Sequence, residues 1–250
     1  MSDPRQDAFL QRIREVLGSD RKVVQRGLEQ RHVQPQSPEV IAPLAGRGQD
    51  ELVQRLIQAG QALHMQVREC ADNEAAANAL VELAEGRVQV DEGIVAWDHP
   101  LIRELELDER LGQAGIDFAY TGWQGSPTTD DERRRQKTRI REQVAQAVMG
   151  ITSADFCLAD TATLVMKTRP GHARSASLVP ETHAAVIRRE QIIADLGQLY
   201  FLLTHEQDQI QEGLSNCLSL ISGPSKTADI ELCMVYGVHG PREVHLFVLP

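Results

Sequence analysis

Three stretches of this sequence gather side chains able to hold a ligand. The densest is Ser222-Gly223-Pro224-Ser225-Lys226-Thr227-Ala228-Asp229-Ile230-Glu231, directly after the apolar run Leu218-Ser219-Leu220-Ile221. Ser222, Ser225 and Thr227 offer hydroxyls, Lys226 offers charge, and Gly223 lets backbone approach whatever those groups hold. Such a loop after a strand suits an anion, because open α/β sheets bind ligands outside the carboxyl ends of their strands. It is no Walker A loop, since the upstream glycine is missing and serine precedes Lys226. A plain turn accounts for the same residues, with Ser225 or Thr227 capping a short helix that has Asp229 and Glu231 near its start.

The second stretch brackets one short apolar run with Asp155, Asp160, Thr161 and Thr163. Carboxylates and hydroxyls would then share an edge, although Asx and threonine turn chemistry produces the same pattern. The third is Lys167-Thr168-Arg169-Pro170-Gly171-His172-Ala173-Arg174, where four basic or potentially basic side chains surround a Pro-Gly turn. Arg174 and its neighbours would suit a carboxylate or phosphate, or simply decorate an exposed hairpin tip. His183 precedes an apolar run and His239 sits in Val238-His239-Gly240-Pro241, each near a strand end where a base could act. The histidines form no HxH or HExxH pattern, and neither GxSxG nor GxGxxG occurs, so the motifs point to no metal, no cofactor and no standard catalytic set.

These side chains need a scaffold, and periodicity supplies one. Apolar spacing predicts a helix over residues 50–61 closed by Gly60, a strand at 65–67, an Ala-rich helix after Asp72, and strands at 93–97 and 116–120. A long helix follows between 128 and 150, its start acidic and Ile140, Val144, Ala147 and Val148 along one face. Shorter strands come next at 156–159, 164–166 and 184–187, then helices at 189–203 and 206–214, and strands at 218–221, 232–236 and 244–248. Alternation of strand and helix implies a mostly parallel sheet covered on both faces.

Residues 7–18 form an amphipathic helix in this reading, and residues 21–48 dissolve into Arg, Gln, Pro and Gly. The chain therefore divides into a helical arm and linker, 1–48, and an α/β domain, 49–250. A net charge of −10 opposes a polyanionic partner, and the basic run 133–141 has no interleaved aromatic residue, so it reads as a solvated helix face rather than a nucleic-acid surface. No apolar run approaches a membrane span and the first residues lack a secretory pattern, which implies a cytoplasmic protein with no membrane partner. Cys70, Cys157, Cys217 and Cys233 are scattered, a pattern of buried small hydrophobes rather than of disulfides or iron–sulfur ligation.

The blocks Gly150-Ile151-Thr152-Ser153-Ala154-Asp155, Asp160-Thr161-Ala162-Thr163, Ser177-Leu178-Val179-Pro180-Glu181-Thr182-His183 and Ser222 to Glu231, closed by Gly237-Val238-His239-Gly240-Pro241, together resemble the LUD-domain family, and specifically its lactate utilisation protein C branch. The resemblance implies a three-layer α/β/α fold like the glucosamine-6-phosphate isomerase, ribose-5-phosphate isomerase and CoA-transferase group. It also implies a place in a bacterial system oxidising L-lactate to pyruvate, beside iron–sulfur partner subunits that carry the redox chemistry. The alternative is an enzyme or binding protein for a small anionic ligand such as a phosphosugar, folate or CoA ester; self-association into a homo-oligomer stays open. One departure stands out: the family's turn commonly reads Glu-Thr-Gly-Thr where this chain has Asp160-Thr161-Ala162-Thr163. Alanine avoids positive φ, so either this turn needs no left-handed residue or its ligand approach differs.

Overall fold

The computed structural model describes residues 11–12, 48–89, 92–206, 209, 211, 215, 217–228 and 234–250. Residues 11–12 are helical; the rest of the expected helix 7–18 lies outside the described residues. The architecture below is that of the unit Ala42–Pro250.

A six-stranded sheet in the order β1-β12-β7-β4-β2-β3 forms the centre. Its strands are β1 (Gln66–Glu69), β2 (Gly93–Ala96), β3 (Asp117–Tyr120), β4 (Ala147–Thr152), β7 (Thr182–Arg188) and β12 (Glu243–Leu249), all paired in parallel. One face carries α2 (Asn73–Glu85), α3 (Pro100–Arg103) and α4 (Leu107–Gln113), whose Ala76, Leu80, Ile102 and Leu111 pack on Ile94, Ile151, Val186 and Phe247. The other face carries α1 (Gln49–Leu63) and α5 (Asp130–Gln146), which bring Leu56, Ile140 and Val144 to Val95, Ala185 and Leu246. This is the mostly parallel α/β sheet, helix-covered on both faces, that the strand–helix alternation implied.

The second face also supports a smaller sheet, ordered β8-β5-β6-β9, from β5 (Phe156–Leu158), β6 (Thr163–Lys167), β8 (Ile192–Ile193) and β9 (Leu218–Ile221). Its far side is closed by α6 (Leu196–His205), with Leu199 against Leu158, Val165 and Ile193. A two-stranded antiparallel hairpin, β10 (Lys226–Ala228) and β11 (Met234–Tyr236), completes the described elements.

Several expected boundaries shift for identifiable reasons. Gly60 lies inside α1 rather than ending it: a Cβ there would stand 2.5 Å from Val67 Cγ2, so the missing side chain lets β1 lie close. The helix stops instead at His64, which is left-handed at φ 62°. Helix α5 starts with a full capping box between Thr129 and Glu132, as its acidic start suggested, but Ala147 and Val148 belong to β4. The expected helix 189–203 is a 3-10 turn, strand β8 and then α6: Ile192 pairs with Cys157, and the Asp195 side chain accepts from Gln198 N–H to start a new helix. The expected helix 206–214 falls largely outside the described residues. Arg133 and Arg134 pair with Asp130 and Asp131 one turn back on an exposed face, the arrangement of a solvated helix.

The tightest approach in the sheet is at Gly150, where a Cβ would stand 1.7 Å from the backbone oxygen of Ala176. Gly150→Ala must therefore push the 3-10 turn Arg174–Ser177 off the sheet. The expected cost is about 3 kcal/mol, seen in thermal unfolding as a loss of roughly 6 to 12 °C.

Candidate functional site

The motif loop after β9 does meet the turn between β5 and β6. Thr161 Oγ1 lies 2.8 Å from Thr163 Oγ1, which lies 2.7 Å from Ser222 Oγ, so three hydroxyls form one hydrogen-bonded line. Thr163 is buried at its centre, while Thr161 and Ser222 are exposed at its ends. Gly223 follows at φ +83°, and a Cβ there would stand 3.1 Å from the carbonyl oxygen of Leu63, so only glycine fits without strain. Lys226 Nζ donates to that same Leu63 carbonyl at 2.9 Å, placing a cation on the carboxyl end of α1.

The second half of the motif closes on the first through backbone. Ser225 N–H donates to Pro241 O at 2.8 Å, and Gly237 N–H donates to Ser225 O at 3.0 Å. Thr227 pairs with Val235 in the hairpin, and His239 is exposed in the turn beyond it. Asp229 and Glu231 lie outside the described residues.

The position of this assembly differs from expectation. Strand β9 belongs to the smaller sheet, where it pairs antiparallel with β6, so the loop it feeds does not sit at the carboxyl end of the parallel sheet. It lies beside Leu63 and His64, ahead of β1, and beside Glu181 and Pro241, ahead of β7 and β12. Apolar patterning identified β9 as a strand but could not say which sheet it joins.

Two candidates are placed elsewhere. Arg174 donates from Nη1 to Cys217 Sγ at 3.1 Å. His183 is fully enclosed in β7, with Nε2 2.8 Å from Thr152 Oγ1 and Nδ1 without a hydrogen-bond partner among the described residues. Burial, and then the neighbouring His245, push its pKa down to about 4. Neither side chain joins the hydroxyl line.

Ala162, between Thr161 and Thr163, is buried and left-handed at φ +42°. The turn therefore does need positive φ, and alanine carries the strain that glycine would avoid, on the order of 1 kcal/mol.

A second polar group stands at the opposite, carboxyl ends of β2 and β4. The Trp97 and His172 rings stack with centroids 4.4 Å apart at 4°, and His99 lies 5.3 Å from His172. Asp155 accepts from Lys167 N–H at 2.6 Å and pairs with Arg169, and its side chain is only 12% exposed. Arg103 pairs with Asp98 at 2.9 Å and lies 3.5 Å over the Tyr120 ring. Asp155, Arg169 and His172 were visible in the sequence as two polar stretches, whereas Trp97, Asp98 and His99 were not singled out. The signal that could have found them is their position immediately after the apolar strand 93–97.

The fold and these motifs define a recognisable class. The LUD domain model matches residues 53–249, and the chain belongs to that family. It is 29% identical to lactate utilization protein C of Halalkalibacterium halodurans over 95% of this chain and 94% of that protein. It is 32% identical to lactate utilization protein C of Bacillus velezensis, over 94% of this chain and 92% of that one. The crystal structure of a DUF162 family protein from Deinococcus radiodurans shares the fold, with a TM-score of 0.54 at 17% identity, covering 82% of this chain and 99% of that one.

Three outcomes follow. Between pH 6.5 and 4 an unfolded histidine binds a proton that enclosed His183 refuses, so stability falls as pH falls through that window. His183→Gln should reduce this slope by up to about 1.4 kcal/mol per pH unit in urea unfolding at stepped pH. Ala162→Gly should come within about 1 kcal/mol of wild type in the same assay, because relief of the left-handed strain offsets the lost buried methyl. Ala162→Val should unfold at clearly lower urea, since a β-branched residue adds strain at positive φ.

Proposed function

We propose that this chain is a subunit of a bacterial lactate-utilisation system, with an accessory or interaction role and no redox centre of its own. The observation that carries this reading is its likeness, along nearly the whole of both chains, to proteins named lactate utilization protein C. In this reading the iron–sulfur chemistry belongs to partner subunits. Cys157 is enclosed on one face of the large sheet, its thiol held protonated by burial, Cys70 is buried on the other, and Cys217 lies beside Arg174.

A second reading, binding of a small anionic metabolite at the motif loop, draws on the convergence of Thr161, Thr163, Ser222, Gly223, Ser225 and Lys226. The hydroxyls there bond to one another and Lys226 caps α1, so the same contacts also serve to join the smaller sheet to the amino end of the large one. The first reading accounts for more of the chain. The reading places the chain in the cytoplasm; among the described residues no helix is long and apolar enough to cross a membrane.

Deleting the gene should abolish growth on L-lactate and leave growth on glucose intact. Tagged protein from lactate-grown cells should bring down iron–sulfur proteins, read as iron and acid-labile sulfide in the eluate. Normal growth of the deletion strain on lactate would defeat the proposal.

A further inference from the structure

Helix α2 faces the large sheet with a run of small side chains, Ala76, Ala77, Ala79 and Ala84. Alanine is too short to close the gap toward the edge of the sheet. A cleft of about 290 Å³ opens there between α2, β12 and the edge strand β1. Its walls are mainly apolar: Ala79 and Leu83 from the helix, Phe247 from β12, and the stems of Gln66 and Arg68 from β1. Neither the motif loop nor the Trp97–His172 group contributes to this lining.

One uncharged polar group stands in that apolar setting. Residues 244–249 of β12 are between 0 and 6% exposed, and His245 is the one polar side chain among them. The ring lines the cleft, and its Nε2 lies 3.2 Å from Glu243 Oε2, the oxygen that also accepts from Arg87 Nη2. The bond from Arg87 holds the Glu243 carboxyl below the usual carboxylate range, so it is ionised and only accepts. Burial pushes the His245 pKa below the ordinary histidine value, against the pull of Glu243, and the ring is neutral at pH 7.5. The bond to Glu243 then fixes the proton on Nε2 and leaves Nδ1 as a lone pair. That Nδ1 takes no hydrogen bond from the described residues and, unlike the enclosed Nδ1 of His183, is not sealed from solvent.

The charges around the cleft are already matched, Arg87 by Glu243 and Arg68 by Glu82, which leaves no net charge to attract an ion. A small, mostly apolar cavity with one oriented acceptor suits an uncharged ligand. We propose that this cleft binds a compact apolar ring carrying a single hydroxyl, a phenol or cyclic alcohol, whose O–H donates to His245 Nδ1 while the ring lies against Ala79, Leu83 and Phe247. Glu243 takes part by holding the acceptor tautomer. Neither the location nor the ligand class rests on the lactate reading above.

Full-length protein carrying ¹⁵N-labelled histidine is titrated at pH 7.5 with phenol, anisole and benzoate. Phenol should shift the His245 Nδ1 resonance saturably. Anisole has the same ring without the donor and should bind about tenfold more weakly. Benzoate must bring its charge into an apolar cleft and should bind no tighter than anisole. His245→Phe keeps an aromatic ring in β12 and leaves Glu243 to Arg87. In ligand-observed saturation transfer it should weaken phenol about tenfold and leave anisole unchanged. Equal affinity for phenol and anisole, an unmoved Nδ1 resonance at high phenol, or unchanged phenol binding in His245→Phe would each overturn the assignment. Should His245→Phe fail to fold, the comparison of phenol with anisole on the wild-type protein decides alone.

Discussion

One backbone oxygen joins the two sheets at the carboxyl ends of β2 and β3. The Gly171 carbonyl accepts Asp98 N–H at 3.1 Å and the Thr121 hydroxyl at 2.8 Å, and so fastens the turn after β6 to the ends of β2 and β3. Gly171 sits at φ +85°, and a Cβ would come 3.2 Å from Asp98 Cβ, so any other residue there would be strained and crowded. Next to it the Trp97 indole donates to Ala173 O at 2.9 Å, which fixes the plane against which His172 stacks. Without these three bonds the imidazoles, Asp155 and Arg169 would have no common frame.

At the other end of the large sheet several polar residues are bonded to the protein itself. They form the line Thr161–Thr163–Ser222, the Lys226 contact to Leu63 and the Ser225 contacts to Gly237 and Pro241. A polar group already paired gains little from a ligand, whereas a buried unpaired one gains a full hydrogen bond. Polar clusters that differ in this way can look equally dense in a sequence.

Much of the fold was legible because strands here are short, apolar and punctuated. Ile94, Val95 and Ala96 are buried on both faces and read directly as a core strand, and the Thr129–Glu132 cap announced α5. What escaped were features decided by partners distant in the chain. Ile192 and Ile193 carry a helix-compatible spacing until Cys157 and Leu158 offer them a ladder. The carbonyl that Lys226 meets lies on α1, far away in the sequence, so its contact with that helix end could not be read beside its candidate role as a ligand donor. His99 was invisible as chemistry because its neighbour His172 arrives from another sheet.

Strand β12 pairs with β7 on one side and β1 on the other, with Gln66 opposite His245. It is the last element in chain order, yet β1, almost the first, touches the rest of the large sheet only through it. Nearly the whole unit must therefore be synthesised before β1 can join the sheet, and until then the edge of β7 stays open. Assembly of this kind is slow, and it leaves the nascent protein dependent on whatever shields a bare strand edge in the interval.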